Sequence, residues 1–428
     1  KLTWKHFGPK LLNSWQHGQI TGDLTQSHNS SYLRLLPKDG KDIKHLKNWR
    51  PITLLNCDLK IITKCLATKL TSGLSQIISP SQTAYIKGRQ ITDNLQTIMF
   101  SINHALTENT PAMIVSLDAE KAFDSVEHWY LREILRKVGL SNLVSTFDLL
   151  YKDQSVNILL NNSEAGIYKI KNGVKQGDAL SCALFILGIE PLIRNINEDN
   201  RIKGVMLSEI RMTKALAYAD DVACIISPTQ NNLNRIFEHY EVLTKISGLR
   251  LNADKTEIIE FHGQSDYNIN HNNNTYHIKA MESIKINGIH LCFNLDLIRK
   301  TNFDKMLRQV SNQLMNWSQR NLSLLGKILI FKTFGLSQIL YTASCVMFNK
   351  SEDSKLNELI YKFIWNKNMD SNKAPDRIKR SILGSKVNAL GFGMIDFRNV
   401  VKSIRINSIL RLLSNSPHPL SIILSTLT

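Results

Sequence analysis

Tyr218-Ala219-Asp220-Asp221 places two adjacent carboxylates inside an apolar run, with Ala215-Leu216-Ala217 before them and Val222-Ala223-Cys224-Ile225-Ile226 after. Ionised carboxylates in such a setting are costly unless they are paired or bind metal. The flanks read as two short strands with Ala219-Asp220 at the tip of a tight hairpin, which shows both acids to a cleft while the strands stay buried. That arrangement suits divalent-cation chemistry on phosphates, where two cations clamp the attacking and leaving oxygens. Asp-Asp pairs also occur in ordinary turns. A second acid site lies upstream: Met113-Ile114-Val115-Ser116-Leu117 reads as a buried strand that ends in Asp118. Asp118 is placed either as a metal ligand at the strand's C-terminal end or as the N-cap of the helix that follows through Trp129, Leu131, Ile134, Leu135 and Val138. Between the two acid sites runs Asn172-Gly173-Val174-Lys175-Gln176-Gly177-Asp178-Ala179-Leu180-Ser181, ahead of an apolar helix from Cys182 to about Leu192. Glycine there permits close backbone approach, and the helix N-terminus favours an anion.

The elements that must position these groups alternate strands with helices. Leu59, Ile62, Leu66 and Leu70 recur at helical spacing, a helix is expected over Asn231 to Ile246 with Ser247-Gly248 as its stop, and further helices over Leu324 to Leu340 and Leu356 to Trp365. His262, His271 and His277 surround an Asn-rich stretch that reads as a flexible loop, with metal binding there not expected.

In their order along the chain these segments resemble the reverse transcriptases of LINE-type (non-LTR) retrotransposons, with group II intron enzymes as more distant relatives. Leu33-Arg34-Leu35-Leu36-Pro37-Lys38, Trp49-Arg50-Pro51-Ile52-Thr53-Leu54-Leu55-Asn56 and Ser79-Pro80-Ser81-Gln82-Thr83-Ala84-Tyr85-Ile86-Lys87-Gly88-Arg89 resemble the fingers. The Asp118 segment, the Gln176-Gly177 loop and the Tyr-Ala-Asp-Asp hairpin resemble the palm motifs, followed by Gly248-Leu249-Arg250-Leu251-Asn252-Ala253-Asp254-Lys255-Thr256-Glu257. Trp317 to Lys327 and Phe363-Ile364-Trp365 resemble segments beyond the palm. The resemblance implies an α+β right-hand polymerase with fingers, a ferredoxin-like palm and a helical thumb. It divides the chain into an N-terminal extension with fingers (1–110), a palm (111–293) and a helical thumb with a basic C-terminal segment (294–428), the reverse transcriptase domain covering about 25–293.

The resemblance also implies roles. Asp118, Asp220 and Asp221 would hold two Mg²⁺ ions, with Mn²⁺ as a substitute, and Lys255 would be the general acid for the pyrophosphate leaving group. Phe123 sits where a steric gate against ribose 2′-hydroxyls is expected, or else is a core aromatic. Gln176, Gly177 and Tyr218 would border the incoming nucleotide, Arg50 and less firmly Lys64 would meet the triphosphate, and Asp124 is structural or ligand-supporting. The partners implied are an RNA template, a DNA primer and deoxynucleoside triphosphates. The family works in nucleus and cytoplasm, and no membrane partner is expected. Gly288-Ile289-His290-Leu291 departs from the Leu-Gly common in the family's primer-grip-like strand pair, which puts primer positioning in doubt.

Composition agrees. The net charge of +17 asks for a polyanionic partner, and 43% apolar residues are enough for full cores. From Phe293 onward 20 Lys and Arg face 8 Asp and Glu, so this stretch carries 12 of the 17 excess positive charges. Lys373 to Lys386 is the densest run, and Arg377, Lys379 and Arg380 in it are nucleic-acid-binding candidates. Six scattered cysteines without a Cys-x-x-Cys pair read as buried thiols of a reducing compartment. No run reads as a signal peptide or a membrane span. The ends, Lys1-Leu2-Thr3-Trp4 without an initiator Met and Leu424 to Thr428 without a zinc knuckle or ribonuclease H segment, read as those of a fragment or degenerate copy of a longer polyprotein. The alternative functions are a catalytically inactive, maturase-like RNA-binding remnant and a metal-dependent nuclease, the latter with no further acidic or histidine cluster to support it.

Overall fold

The computed structural model describes residues 3–427 except 39, 162, 208–209, 212, 264, 272–273, 367–368, 370–371, 373 and 415–416. Lys1, Leu2 and Thr428 at the ends, and Lys373 at the head of the basic run, therefore lie outside the described residues. Two compact units form, the first from residues 1–91, 112–258 and 263–280, the second from 92–111, 259–262 and 281–428.

The strands that matter are β1 (Ser30–Pro37), β2 (Trp49–Leu54), β3 (Met113–Leu117), β4 (Ser155–Leu160), β5 (Ser163–Lys169), β6 (Ala215–Tyr218), β7 (Asp221–Ile226), β8 (Glu257–Glu260), β9 (Asp266–His271) and β10 (Asn274–Met281). A six-stranded sheet runs β9-β10-β8-β3-β7-β6. Its last four members, counted along the chain, lie in the order fourth, first, third, second, the ferredoxin-like arrangement. β7 is antiparallel to both β3 and β6. The helix Ala179–Glu198 leads into β6, and Gln230–Ser247 links β7 to β8, both contributing to the core of this unit. Cys224, Ile225 and Ile226 of β7 are fully buried, as a continuous apolar run in a covered strand requires.

A separate four-stranded sheet, β2-β1-β4-β5, makes the fingers-like layer. β1 pairs antiparallel with β2 and parallel with β4, Ser30 opposite Ser155. Residues 155–169, expected within the palm, thus join strands from near the start of the chain. The Asn-rich stretch is also not a loop: β9 and β10 pair from Asp266–Lys279 to His271–Asn274. Tyr267, Ile269 and His271 alternate inward along β9, a period of two that the intervening polar residues disguise.

The second unit is mainly helical, with Leu295–Ser318, Leu324–Cys345, Lys350–Trp365 and Phe397–Leu413 around a core that includes Phe303, Val310, Phe331, Ile339 and Phe363. A small hairpin, β11 (Ile284–Ile286) and β12 (Ile289–Leu291), turns at Asn287-Gly288, both at positive φ. The helix Ile91–Thr107 belongs to this unit and not with the fingers, because its buried Asp93 takes a bidentate pair from Arg411 and its Asn94 is bonded by His418. Residues 281–293, assigned to the palm from sequence, group here as well.

Two further expectations from sequence need correction. Ala179–Glu198 and Leu324–Cys345 are long and apolar enough to cross a membrane by length and composition. The first is largely buried in the core of the first unit; the second is interrupted by a π-helical turn at Phe331–Gly335 and packs Phe331 and Ile339 into the second core. The cysteines are less buried than expected: only Cys224 and Cys292 are, whereas Cys57 and Cys65 lie on the solvent face of the helix Cys57–Ile77.

Candidate active site

The acid-bearing elements form as their sequences require. β6 and β7 close a hairpin on Tyr218 and Asp221, which pair directly, and Ala219 at its tip takes a φ of 58°. β7 lies beside β3 with Val222 opposite Leu117, so Asp221 and Asp118 each stand one residue beyond that pair. Asp118 does not cap a helix: the N-cap position of the short helix Ala122–Ser125 is Lys121, and that of His128–Lys137 is Glu127.

The three carboxylates share one electrostatic field. Desolvation, then the neighbouring carboxylates of Asp220 and Asp118, pushes Asp221 up from 3.8 to about 6. Asp220 is also raised, first by burial and then by Asp118. Tyr240, fully buried on the helix beneath, is pushed upward by burial and by the fields of Asp220 and Asp118. Like charges held together in this way favour a shared proton or a cation. Among the described residues no three His, Cys, Asp or Glu side chains already converge on one cation position. All-oxygen donors in an open arrangement fit Mg²⁺, which keeps waters and takes phosphate oxygens from its substrate in place of a closed protein cage.

Lys255 arrives by backbone pairing. Leu251 and Arg250 pair with Ala119 and Glu120, and the Asn252 N–H donates to the Asp118 carbonyl at 2.8 Å. Lys255 Nζ then donates to Asp118 Oδ2 at 3.0 Å. Both side chains are substantially exposed, so this pair is worth at most about 1 kcal/mol.

The glycine loop is fixed from three sides. His128 Nε2 bonds the Gly173 carbonyl at 2.8 Å, the Val174 N–H donates to the Phe123 carbonyl, and the Thr53 N–H of β2 donates to the Gln176 carbonyl at 2.9 Å. Gln176 Nε2 donates to both carboxylate oxygens of Asp124, at 2.9 and 3.0 Å, while burial raises Asp124 and this hydrogen bonding opposes the rise. Asp124 thus orients Gln176. Lys175 turns the other way, buried against Tyr151 and the Gln154 side chain and held near 8 by desolvation, so it is a strut of the loop. Phe123 is half-buried, with its ring stacked on Phe185 at 4.4 Å.

Arg50 is exposed on β2, and Lys64 is exposed on the helix Cys57–Ile77. Arg377, Lys379 and Arg380 belong to the second unit. Arg380 is committed to Asp376 at 2.8 Å and to the face of Tyr361, while Arg377 and Lys379 are exposed. Sequence reasoning gave no role to Tyr85, which is half-exposed at a φ of 58° within the fields of Tyr218 and Asp220. Its pattern of neighbours holds no local hint of that conformation.

A family model described as reverse transcriptase (RNA-dependent DNA polymerase) matches residues 36–315. The chain is 29% identical over 427 residues to the transposon TX1 uncharacterized 149 kDa protein of Xenopus laevis, covering 97% of this chain and 31% of that protein. It is 28% identical over 224 residues to the retrovirus-related Pol polyprotein from type-1 retrotransposable element R2 of Popillia japonica, covering 52% of this chain and 31% of that polyprotein. The chain therefore spans about a third of the length of these relatives. Among solved structures, telomerase from Candida tropicalis in complex with a telomeric RNA fragment aligns with a TM-score of 0.46 and 13% identity, over 97% of this chain and 68% of that one. The apo form of the same telomerase gives 0.45 and 12%, over 98% and 72%.

Proposed function

The chain belongs to the reverse transcriptase (RNA-dependent DNA polymerase) family, and from that premise we propose that it extends a DNA primer on an RNA template as the polymerase of a non-LTR retrotransposon. The observation that carries the proposal is the meeting of Asp118 with the Asp220-Asp221 hairpin, where Lys255 is drawn onto Asp118 and burial and mutual repulsion push Asp220 and Asp221 upward. Asp118, Asp220 and Asp221 would hold two Mg²⁺ ions. When bound, such ions lower the pKa of the primer 3′-hydroxyl and neutralise charge on the triphosphate.

The chain's own residues have distinct tasks in this reading. Lys255 leaves Asp118 and donates a proton to the departing pyrophosphate oxygen. Phe123, braced by Phe185, closes the space a ribose 2′-hydroxyl would need. Gln176, oriented by Asp124, and Gly177 border the nucleotide and its template base, and Arg50 meets the triphosphate. The exposed Arg377 and Lys379 neutralise backbone phosphates of template and primer.

Primer extension on an RNA template with Mg²⁺ and deoxynucleotides, comparing wild type with Asp220→Asn, tests the proposal. Extension by wild type alone is expected. Equal synthesis by Asp220→Asn would remove the metal assignment, and RNA binding without synthesis by either protein would leave the RNA-binding remnant.

A further inference from the structure

Gln82 lies in a stretch that edges the catalytic hairpin. The Thr83 N–H donates to the Ala217 carbonyl at 2.9 Å, and the Ala217 N–H donates to the Ser81 carbonyl at 2.9 Å, so residues 81–83 run alongside β6. The Gln82 side chain is fully buried. Its Oε1 accepts from the N–H groups of Ala219 and Ala84, each at 3.0 Å, and its Nε2 donates to the Ala219 carbonyl at 3.3 Å. Both peptide groups of a single residue are thus held by one amide.

That residue is strained. Ala219 is buried at a φ of 58°, a left-handed conformation that a non-glycine residue keeps only when its surroundings over-determine it. Asp220 and Asp221 follow directly, and their mutual repulsion works against a fixed turn whenever no cation separates them. Gln82 is itself held. Arg89 donates to the carbonyls of Ile78 at 3.0 Å, Ser79 at 2.5 Å and Gln82 at 2.7 Å, fixing the backbone from which the amide reaches.

We propose that Gln82 is a positioning residue, clamping Ala219 in its left-handed conformation so that Asp220 and Asp221 stand ready beside Asp118 before metal and nucleotide arrive. Its catalytic consequence rests on the polymerase reading above; the clamp itself has a physical readout that does not.

The test uses the full chain in three forms: Gln82→Met, Ala219→Gly and the double substitution. Met keeps the length of the side chain without donor or acceptor, and glycine adopts positive φ without help. Hydrogen exchange over residues 215–226, the Mg²⁺ dependence of primer extension, kcat and the primer–template KM are measured. Gln82→Met is expected to speed exchange at Ala219, lower kcat about tenfold as Ala219 relaxes from its strained conformation and carries Asp220 out of place, and raise the Mg²⁺ midpoint. The primer–template KM should stay within about twofold, since Gln82 is fully buried. Adding Ala219→Gly should recover most of the lost kcat, which a role in core packing would not allow. Unchanged exchange and kcat in Gln82→Met, or a loss that Ala219→Gly does not relieve, would overturn the clamp. Should Gln82→Met not fold, Gln82→Asn keeps the amide and its polarity but falls one methylene short of Ala219. Its smaller deficit should still be relieved by Ala219→Gly, and an unrelieved one overturns the clamp. Altered exchange in a chain whose wild type makes no DNA would leave the clamp standing and sink the polymerase reading. Synthesis by wild type and Gln82→Met alike would do the reverse.

Discussion

At the scale of single residues, the site trades stability for readiness. Asp221 titrates at about 6 against an ordinary 3.8 because burial and two neighbouring carboxylates disfavour its charged form. A group raised in the folded state favours folding at pH values below both figures, and that contribution is lost as the pH rises through about 6. The metal-free protein should therefore melt at a lower temperature than Asp221→Asn at about pH 7.5, with the gap closing toward about pH 4; thermal melts in chelator check this. An equal gap at both pH values would mean that the charge is not the cause. Protonation also competes with metal. At subsaturating Mg²⁺, initial rates should decline below about pH 6 by up to about tenfold per unit, and excess Mg²⁺ should move that limb to lower pH. Phe123 offers a separate test, because Phe185 fixes its ring from one side. Phe123→Val should raise ribonucleotide relative to deoxyribonucleotide incorporation, whereas an unchanged ratio with a lower melting temperature would return Phe123 to the core.

At the scale of elements, the site depends on a glycine loop wedged between a strand and a short helix. A Cβ at Gly177, whose φ is 113°, would stand 2.9 Å from the Thr53 carbonyl, and one at Gly173 would stand 2.6 Å from the Asp124 carbonyl. Both neighbours are backbone and cannot swing aside. Gly177→Ala should push the loop off β2, cost about 1–3 kcal/mol and reduce nucleotide incorporation through Gln176. Gly139→Ala is the control: Gly139 also has positive φ but has open space around it, so it should lower the melting temperature and leave kcat alone. Steady-state kinetics and melts on both variants separate the two effects. The hairpin, the β3 strand and the Gly248 helix stop were legible in the sequence because each is written locally, as an apolar run, a pair of turn acids or a glycine after a periodic helix. What escaped was non-local or disguised. The parallel pairing of Ser30 with Ser155 has no sequence mark, nor does the hydrogen bonding of Gln176 to Asp124, since both depend on chain folding far from either residue. β9 was hidden because Asn268 and Asn270 on its outer face look like loop residues, although Tyr267 and Ile269 between them point inward.

At the scale of the whole molecule, the 20 Lys and Arg from Phe293 onward overstate what is available for nucleic acid. Arg299 is paired with Glu352 and Asp296, Arg398 with Asp396, Arg380 with Asp376 and Arg411 with Asp93, while Arg405 caps the carbonyls of Ala343 and Val346. Five of the eight arginines beyond Phe293 are therefore committed to contacts within the second unit. Deleting that stretch is a poor test of binding. It would strip Arg411 from buried Asp93 and His418 from Asn94 on the helix Ile91–Thr107, and losing one partner of a buried ion pair costs about 3–5 kcal/mol. Weak binding by such a truncation would report misfolding. The better test neutralises exposed cations that hold no fold together. Arg377, Lys379 and Lys386 are exposed, and replacing all three with alanine should leave the melting temperature nearly unchanged. Each backbone phosphate left without its cation should flatten the plot of log binding constant against log salt by about 0.7–0.9. By the same rule the triple variant's slope on a primer–template should be shallower by up to about 2–3 units. Direct titrations across a salt series read this. A slope unaltered from wild type would place the phosphate-binding surface on other cations of the chain, with the three residues reduced to solubilising charge.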